Sequence, residues 1–478
     1  MLKLRPYQEE MLIRIKLEFS KGNRRIVLQL PTGGGKTAMF SSISKMAIDK
    51  GNSVLIITDR KELLKQSGNT LELFGVTPFL LTSKTRALQP GSLCVAMVET
   101  IKARLHKSDY VSFIGAFKII IIDECHKNAF NRIFEHLQPE QYVIGATATP
   151  YRDGKMRELK QDYDVIVEGV QISKLQELGF LSNVTSYGVP VDLSSVKITS
   201  GEFNPADLEI MYSKCELFSG AVMNYQKHTP GTKALAFSPT VATSELLCAE
   251  FVKAGILATH LDAETPSAER DRILAEFAAG RITVLCNVGI LTTGYDCPDI
   301  ETIILYRATK SLPLFLQMCG RGSRVAQGKS GFSILDFGNN IKRHNFWQAD
   351  RIWSLDNPKK KKRNKEEQDY YPIKYCPECE AMIQASLKIC PECGYEYPVN
   401  EKERMMAELQ VLSPTQINRL AEFASIRELE EIREAKGYKV GWVLHKLKDI
   451  DQFKQYEKLK NYKRGWHIYA WRTMQNGK

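Results

Sequence analysis

Residues 118–127 read KIIIIDECHK, and four consecutive isoleucines leave few folds open to the chain. A strand with one wet face alternates apolar and polar residues. An unbroken β-branched run suits a strand covered on both faces, as in a parallel α/β sheet. Asp123 and Glu124 then fall at the carboxyl end of that strand, where open parallel sheets bind their ligands. One carboxylate there can hold a cation and a second can handle water; the plain alternative is an acidic surface turn.

Strands of the same kind recur. RIVLQL, SVLIIT, LCVAMV and YVIGAT alternate with helical patterns through residues 1–165, the signature of a parallel sheet with crossover helices. Residues 166–231 are less regular and read as a connector or small insertion. From Thr232 the alternation resumes (KALAFS, LATHLD, ITVLCN, ETIILY, GFSILDF) and defines a second block, 232–355. Residues 356–374 carry KKKKR and read as a basic linker; a solvated run is the plain meaning of those charges and a nuclear signal the alternative. Residues 375–400 hold two cysteine pairs, and 401–478 look helical, with SPTQINRLAEF and SIRELEEIREAKGY starting on serine caps. The expected fold class is therefore α/β: two tandem parallel-sheet domains, then a small cysteine module and a helical C-terminal domain.

Charge narrows the partner. The 478 residues carry 66 Lys and Arg against 55 Asp and Glu, a net charge of +11 that favours a polyanion such as nucleic acid. No apolar run approaches the roughly 18 residues of a membrane span, so no membrane partner is expected. The start, MLKLRPYQEE, does not read as a secretory signal, and the expected compartment is the cytoplasm of a bacterial or phage-infected cell. The eleven cysteines fit a reducing compartment with one metal site better than a disulfide framework.

LQLPTGGGKTAMF, at 28–40, explains the acidic strand end. It follows one strand and opens a helix. Gly33, Gly34 and Gly35 let backbone N–H groups turn inward around phosphate oxygens. Lys36 can place its charge on the β- and γ-phosphates, Thr37 can offer its hydroxyl to Mg²⁺, and the helix points its positive end at the anion. Leu30 stands where the full Walker A pattern has its first glycine. Asp123 is then the carboxylate that holds Mg²⁺, directly or through a bound water, and Glu124 the residue that orients or deprotonates an attacking water. His126 reads as a coupling residue and Cys125 as packing.

With these motifs in view, residues 4–325 resemble the superfamily 2 helicases. LRPYQ resembles the adenine-reading Q motif with Gln8 as reader, PTGGGKT motif I and DECH motif II. TDRKELLKQ is similar to motif Ia, which implies Arg60 near the nucleic-acid backbone, and MVETI to motif Ib, with Thr100 at a backbone-contacting position. GATATP resembles motif III, with Thr147 and Thr149 on its coupling positions. FSPTVATSELLCAEF is similar to motif IV, and the stretch 261–298 runs through motif V, with Gly294 and Asp296 matching; Val288 departs from the threonine often found there. QMCGRGSR matches motif VI with Gln317, Gly320, Arg321 and Arg324. The resemblance implies two RecA-like domains with ATP in the cleft between them, Arg321 and Arg324 reaching the γ-phosphate from the second domain, and translocation 3′ to 5′. The RPYQ and LTTGYDCP forms resemble type III restriction ATPases and phage branch-migration helicases more than RNA helicases, which favours DNA.

YCPECEAMIQASLKICPECGYEYP places Cys376, Cys379, Cys390 and Cys393 in a C-x₂-C-x₁₀-C-x₂-C pattern. Two such knuckles suit a closed, structural tetrahedral Zn²⁺ site, and the module resembles a zinc ribbon. As a separate module it is expected to unfold on metal loss while both motor domains stay folded. In the tail, AKGYKVGWVLHKLKDI interleaves lysines with Tyr438, Trp442 and His445; these aromatics read first as a helical core, with outer basic side chains free to hold phosphates.

The expectation is an ATP-driven DNA helicase or translocase acting on duplex or branched DNA in replication, recombination or repair, with ATP, Mg²⁺ and Zn²⁺ as cofactors and proteins of those processes as further partners. An RNA helicase, the motor subunit of a restriction system, and a nucleic-acid-binding module switched by ATP are the alternatives.

Overall fold

The structure is a computed structural model that describes residues 4–59, 77–85, 87–89, 91–152, 158–213, 215–292, 295–356, 370–397 and 426–476. The chain divides into two compact units, Met1–Tyr395 and Glu396–Lys478.

In the first unit, β1 (Arg25–Gln29), β2 (Val54–Thr58), β3 (Phe79–Leu81), β4 (Leu93–Met97), β5 (Ile119–Asp123), β6 (Tyr142–Thr147) and β7 (Val165–Glu168) form one sheet in the order β3-β4-β2-β5-β6-β1-β7. All its pairings are parallel. The isoleucine run behaves as its pattern requires. Ile121 joins the core cluster on one face, with Ile119 packed against it, and Ile120 and Ile122 join the cluster on the other. Three of the four have no solvent exposure, and each such side chain contributes roughly 1.5–3 kcal/mol of burial.

The second sheet is built from β8 (Asn183–Gly188), β11 (Ala234–Phe237), β12 (Ala258–Leu261), β13 (Val284–Asn287), β14 (Thr302–Leu305) and β15 (Gly331–Asp336). Its order is β12-β13-β11-β14-β15-β8, again all parallel. A small antiparallel hairpin, β9 (Ile198–Thr199) and β10 (Glu202–Phe203), lies between β8 and β11 in the chain. The stretch 166–231, read from the sequence as a connector or insertion, thus contributes to both sheets: β7 runs past residue 165 and pairs with β1, and β8 pairs with β15 along six residues. Both are edge strands, and an edge strand does not need the continuous apolar run that marks a central one. No described helix is long and apolar enough to cross a membrane.

The cysteine module folds around the antiparallel pair β16 (Ile373–Tyr375) and β17 (Met382–Gln384). It is not free-standing. Met382 is buried in the main core cluster, and its Sδ would lie 2.5 Å from a Cβ at Gly188, so this glycine at the end of β8 makes room for the sulfur. Thr185 Oγ1 donates to Glu392 Oε2 at 2.6 Å. Glu380 pairs with Lys227, and its Oε2 lies 3.4 Å from His228 Nε2. The module caps the β8 edge of the second sheet, where the sequence suggested an independent element.

The second unit is helical, with helices Ile426–Lys436, Val440–Leu444, Ile450–Leu459 and Trp466–Asn476. Leu429, Val443, Leu447, Phe453, Tyr456 and Ala470 form its core, with Trp442, Trp466 and Trp471 packed against them. Of the three residues the pattern singled out, Trp442 packs against this core, Tyr438 is half-buried against Trp442, and His445 is exposed.

Candidate nucleotide site and cysteine centre

The sheet order sets β5, β6 and β1 side by side, and their carboxyl ends carry the three loops of interest. After β1, Gly33 and Gly35 adopt φ of +82° and +84°, left-handed backbone that glycine alone enters without strain. Space is equally tight: a Cβ at Gly35 would lie 2.3 Å from Gln8 Nε2, and one at Gly33 2.7 Å from Leu181 Cδ2. Gly35 caps the helix Lys36–Ile48, so Lys36 and Thr37 occupy its first two positions. The carbonyl of Gly34 accepts from Tyr7 Oη at 2.8 Å and from Gln8 Nε2 at 3.1 Å, while the amide of Arg5 donates to Gln8 Oε1 at 2.9 Å. Gln8 therefore lies directly over the glycine loop.

At the end of β5, Asp123 is 6% exposed and pairs in register with Ala146 of β6. Glu124 turns out of the strand at φ +49° and meets Lys36, Nζ to Oε1 at 2.7 Å. Burial alone would raise the Glu124 carboxyl, but Lys36 and His126 outweigh it and hold it well below the usual carboxylate range. His126 Nδ1 lies 3.4 Å from Glu124 Oε2 and 2.8 Å from Thr147 Oγ1, which also accepts from the amide of Thr149 at 2.9 Å. Burial pushes His126 down to about 4, so the ring is neutral at pH 7. The side chains of Lys36, Glu124, His126 and Thr147 thus form a polar row that ends on the backbone of Thr149, hydrogen-bonded at each step except between Glu124 and His126, which lie at 3.4 Å. Among the described residues, Glu124 Oε2 and the buried Thr149 Oγ1 make no hydrogen bond. Cys125 is fully buried, its thiol pushed up to about 12 by that burial, as a packing residue should be.

No motif in the sequence marks Arg152. It lies just beyond TATP, wholly buried, paired with Asp162 at 2.7 Å and donating to the carbonyl of Cys125 at 3.1 Å. It braces the DECH turn from behind, and no periodicity marks a single arginine after a proline.

The second domain supplies Gln317, buried on the helix Leu312–Cys319, and the turn that follows it. A Cβ at Gly320 would lie 2.8 Å from Thr32 Cβ, so this turn rests on the glycine loop. The two arginines are held by their own domain. Arg321 donates from Nε to the carbonyl of Thr292 at 3.2 Å and from Nη1 to that of Tyr295 at 2.5 Å. Arg324 forms an ion pair with Asp296. The buried Arg321 guanidinium brings five donors that must find acceptors, and the carbonyls of Thr292 and Tyr295 are among them; the sequence had aimed both arginines, and Asp296, at the nucleotide. Thr100 is buried in the short helix Val98–Lys102. Arg60 and Gly294 lie outside the described residues.

The four cysteine sulfurs lie within 4.8 Å of one another. Cys376 and Cys393 Sγ are 3.6 Å apart, Cys379 and Cys390 Sγ 3.7 Å. Tetrahedral zinc at about 2.3 Å from each thiolate requires sulfurs about 3.8 Å apart, whereas a disulfide requires about 2.05 Å. Glu380 and Gly394, each following the second cysteine of a knuckle, both take positive φ, +61° and +78°. The two knuckles are one local structure used twice, and the donor set fits Zn²⁺.

Comparison with known proteins agrees with this geometry. The family model described as "Type III restriction enzyme, res subunit" matches residues 1–152, and the model described as "Helicase conserved C-terminal domain" matches residues 213–326. A Lactococcus phage protein described only as a 51.5 kDa protein is 33% identical over 403 residues, covering 82% of this chain and 83% of its own length. A Saccharomyces cerevisiae protein, named provisionally as the ATP-dependent helicase IRC3, is 32% identical over 359 residues; these cover 70% of this chain and 51% of the yeast protein, so the chain spans about half the length of that relative. Among solved structures, a fragment provisionally assigned as the HsdR subunit of a type I restriction enzyme from Vibrio vulnificus superposes with a TM-score of 0.57 at 21% identity, covering 72% of this chain and 65% of that one. The type ISP restriction-modification enzyme LlaBIII, solved bound to DNA, superposes with a TM-score of 0.53 at 18% identity over 70% of this chain and 28% of that one. At such identities the two structures speak for the fold.

Proposed function

The chain belongs to the superfamily 2 helicases, and we propose that it is an ATP-driven DNA helicase or translocase that unwinds or remodels duplex or branched DNA. The observation that carries this reading is the 2.7 Å contact of Lys36 with Glu124 beneath the glycine loop, continued through His126 to Thr147. It links the phosphate loop to two further strand ends of the same sheet. In this reading the glycine-loop amides and Lys36 take the β- and γ-phosphates, and Gln8 reads the adenine. Thr37 and Asp123 would hold Mg²⁺, which supplies neutralisation of phosphate charge. Glu124, freed from Lys36, orients the attacking water. His126, neutral, passes its position to Thr147 and Thr149. Gln317, Arg321 and Arg324 act from the second domain, and Arg60 and Thr100 on the DNA backbone. Cys376, Cys379, Cys390 and Cys393 would hold a structural Zn²⁺.

DNA is preferred to RNA because RPYQ and LTTGYDCP resemble the forms of type III restriction ATPases and phage branch-migration helicases more than those of RNA helicases. The phage relative fits action in an infected bacterial cell, and DNA replication, recombination or repair is the process we assign to this chain there. The restriction family model over residues 1–152 favours one second reading, the motor subunit of a restriction system. That reading calls for a partner that supplies the nuclease. Steady-state ATPase with forks, Holliday junctions, blunt duplex, single strands and RNA tests the proposal. DNA should stimulate turnover more than RNA of equal length; equal or greater stimulation by RNA would overturn the substrate.

A further inference from the structure

Three consecutive residues outside every motif tie the pieces of the nucleotide site together. After β7 the chain forms the short helix Ile172–Glu177, turns at Gly179 with φ +70°, and enters β8 at Asn183. The turn is fixed from behind. The amides of Phe180 and Leu181 both donate to the carbonyl of Leu175, at 2.8 and 3.1 Å, and Gln176 Nε2 donates to that of Ser182 at 2.9 Å. Each of the three residues then faces a different part of the site. The Phe180 ring lies 4.2 Å from the Arg5 guanidinium and 5.7 Å from the ring of Tyr7, whose hydroxyl holds Gly34. Leu181, 2% exposed, packs its Cδ2 where a Cβ at Gly33 would sit. Ser182 donates twice to the second-domain turn: its amide to the carbonyl of Ser323 at 2.8 Å and its hydroxyl to that of Arg324 at 2.9 Å.

We propose that residues 180–182 form a strap that registers the turn bearing Arg324 against the glycine loop, with Ser182 as a positioning residue for ATP turnover. This rests on the nucleotide-site reading above. The strap is also the covalent link between the two sheets, so any closing or opening of the domains passes through it. The Ser182 hydroxyl and Lys329 Nζ both donate to the carbonyl of Arg324, at 2.9 and 2.8 Å, and of the two only Ser182 ties the backbone from which that guanidinium extends to the strap. A reacting group shifted by an ångström loses turnover far more than affinity.

The test is ATP turnover by the full chain, with and without single-stranded DNA, for Ser182→Ala, Arg324→Ala, the double variant and Lys36→Ala. Ser182→Ala should lower kcat between about tenfold and a hundredfold and leave KM for ATP within about twofold. In the Arg324→Ala background it should cost nothing further, because its effect runs through Arg324. Unchanged kcat, or a loss that multiplies with that of Arg324→Ala, overturns the strap. Should Ser182→Ala fail to fold, Leu181→Val, which thins the packing on Gly33, must show the same split between kcat and KM. Lys36→Ala separates the two ways of failing. If it still turns over ATP, the nucleotide-site reading is wrong; if it is dead while Ser182→Ala retains full kcat, the strap alone is wrong.

Discussion

Glu124 and His126 show how burial and charge set the state of single residues. Glu124 stays ionised in a buried position because the Lys36 ammonium is in contact with it. Lys36→Ala should abolish turnover, since it removes the charge meant for the transferring phosphoryl group, while Glu124→Gln should bind ATP and fail to hydrolyse it; near-normal turnover in either variant would refute its assigned role. The same two residues predict an acid-sensitive fold. His126 is near 4 when folded against 6.5 when exposed. Between those values the unfolded chain holds a proton that the folded chain lacks, so the stability from a neutral His126 is complete above about pH 6.5 and drains away toward pH 4. Glu124, depressed below its ordinary 4.5, adds a loss of the same sign at lower pH. His344, buried and likewise pushed down to about 4, drains stability over the same window, so in urea unfolding at pH 7, 6, 5 and 4.5 each of the two rings should add up to about 1.4 kcal/mol per pH unit to the slope. His126→Gln should lower the slope by about that amount and leave the His344 share, and an equal slope in the variant would refute the buried neutral imidazole. These residues were legible because motif chemistry names them. Arg152 and Ser182 were not, because a lone arginine after a proline and a lone serine before a strand acquire meaning only when distant backbone carbonyls, those of Cys125 and Arg324, arrive beside them.

Elements were legible in proportion to their burial. The central strands β2 and β5 have both faces covered and announce themselves as VLIIT and IIIID. The edge strands β7 and β8, VIVE and NVTSYG, carry polar residues and glycine, so the stretch that contains them looked like a connector. The cysteine spacing disclosed a metal module, but not its docking, because the contact is made by one methionine in EAMIQ and one glycine ending β8. That docking changes what metal loss should do. With Met382 5% exposed and inside the main core, loosening the knuckles unpacks the second sheet as well as the ribbon. The wild type should carry about one zinc per chain, as one four-thiolate site requires. Chelation, or Cys376→Ser with Cys379→Ser, should lower the unfolding midpoint of the whole first unit. Met382→Ala, which leaves all four ligands in place, should cost about 2–5 kcal/mol with the zinc retained. A zinc-free protein whose first unit melts unchanged would restore the free-standing ribbon.

At the scale of the whole molecule the charge is uneven, and the unevenness carries a prediction. Residues 437–476 hold nine Lys and Arg against three Asp and Glu, a net +6 within a chain of +11. Lys460 turns inward to Glu430 at 2.6 Å, but Lys454, Lys458, Lys463, Arg464 and Arg472 are exposed. On the last helix Tyr469 is 72% and Ile468 43% exposed, beside Arg472. Exposed cations bind a phosphate backbone by releasing its counterions, and an exposed ring adds a face on which a base can stack. The helical unit is compact by itself, with its own core, whereas the ATP chemistry resides in the first unit. Ending the chain at Tyr397 should therefore leave ATPase turnover at saturating DNA nearly intact. It should raise the DNA concentration needed for half-stimulation and shrink its salt dependence, by roughly 3 in the slope of log affinity against log salt if four or so phosphate contacts are lost. Titrations of fork DNA from 50 to 300 mM salt decide the matter. An unchanged slope would mean that these lysines are solvating charge alone, and that the grip on DNA belongs to the two parallel-sheet domains.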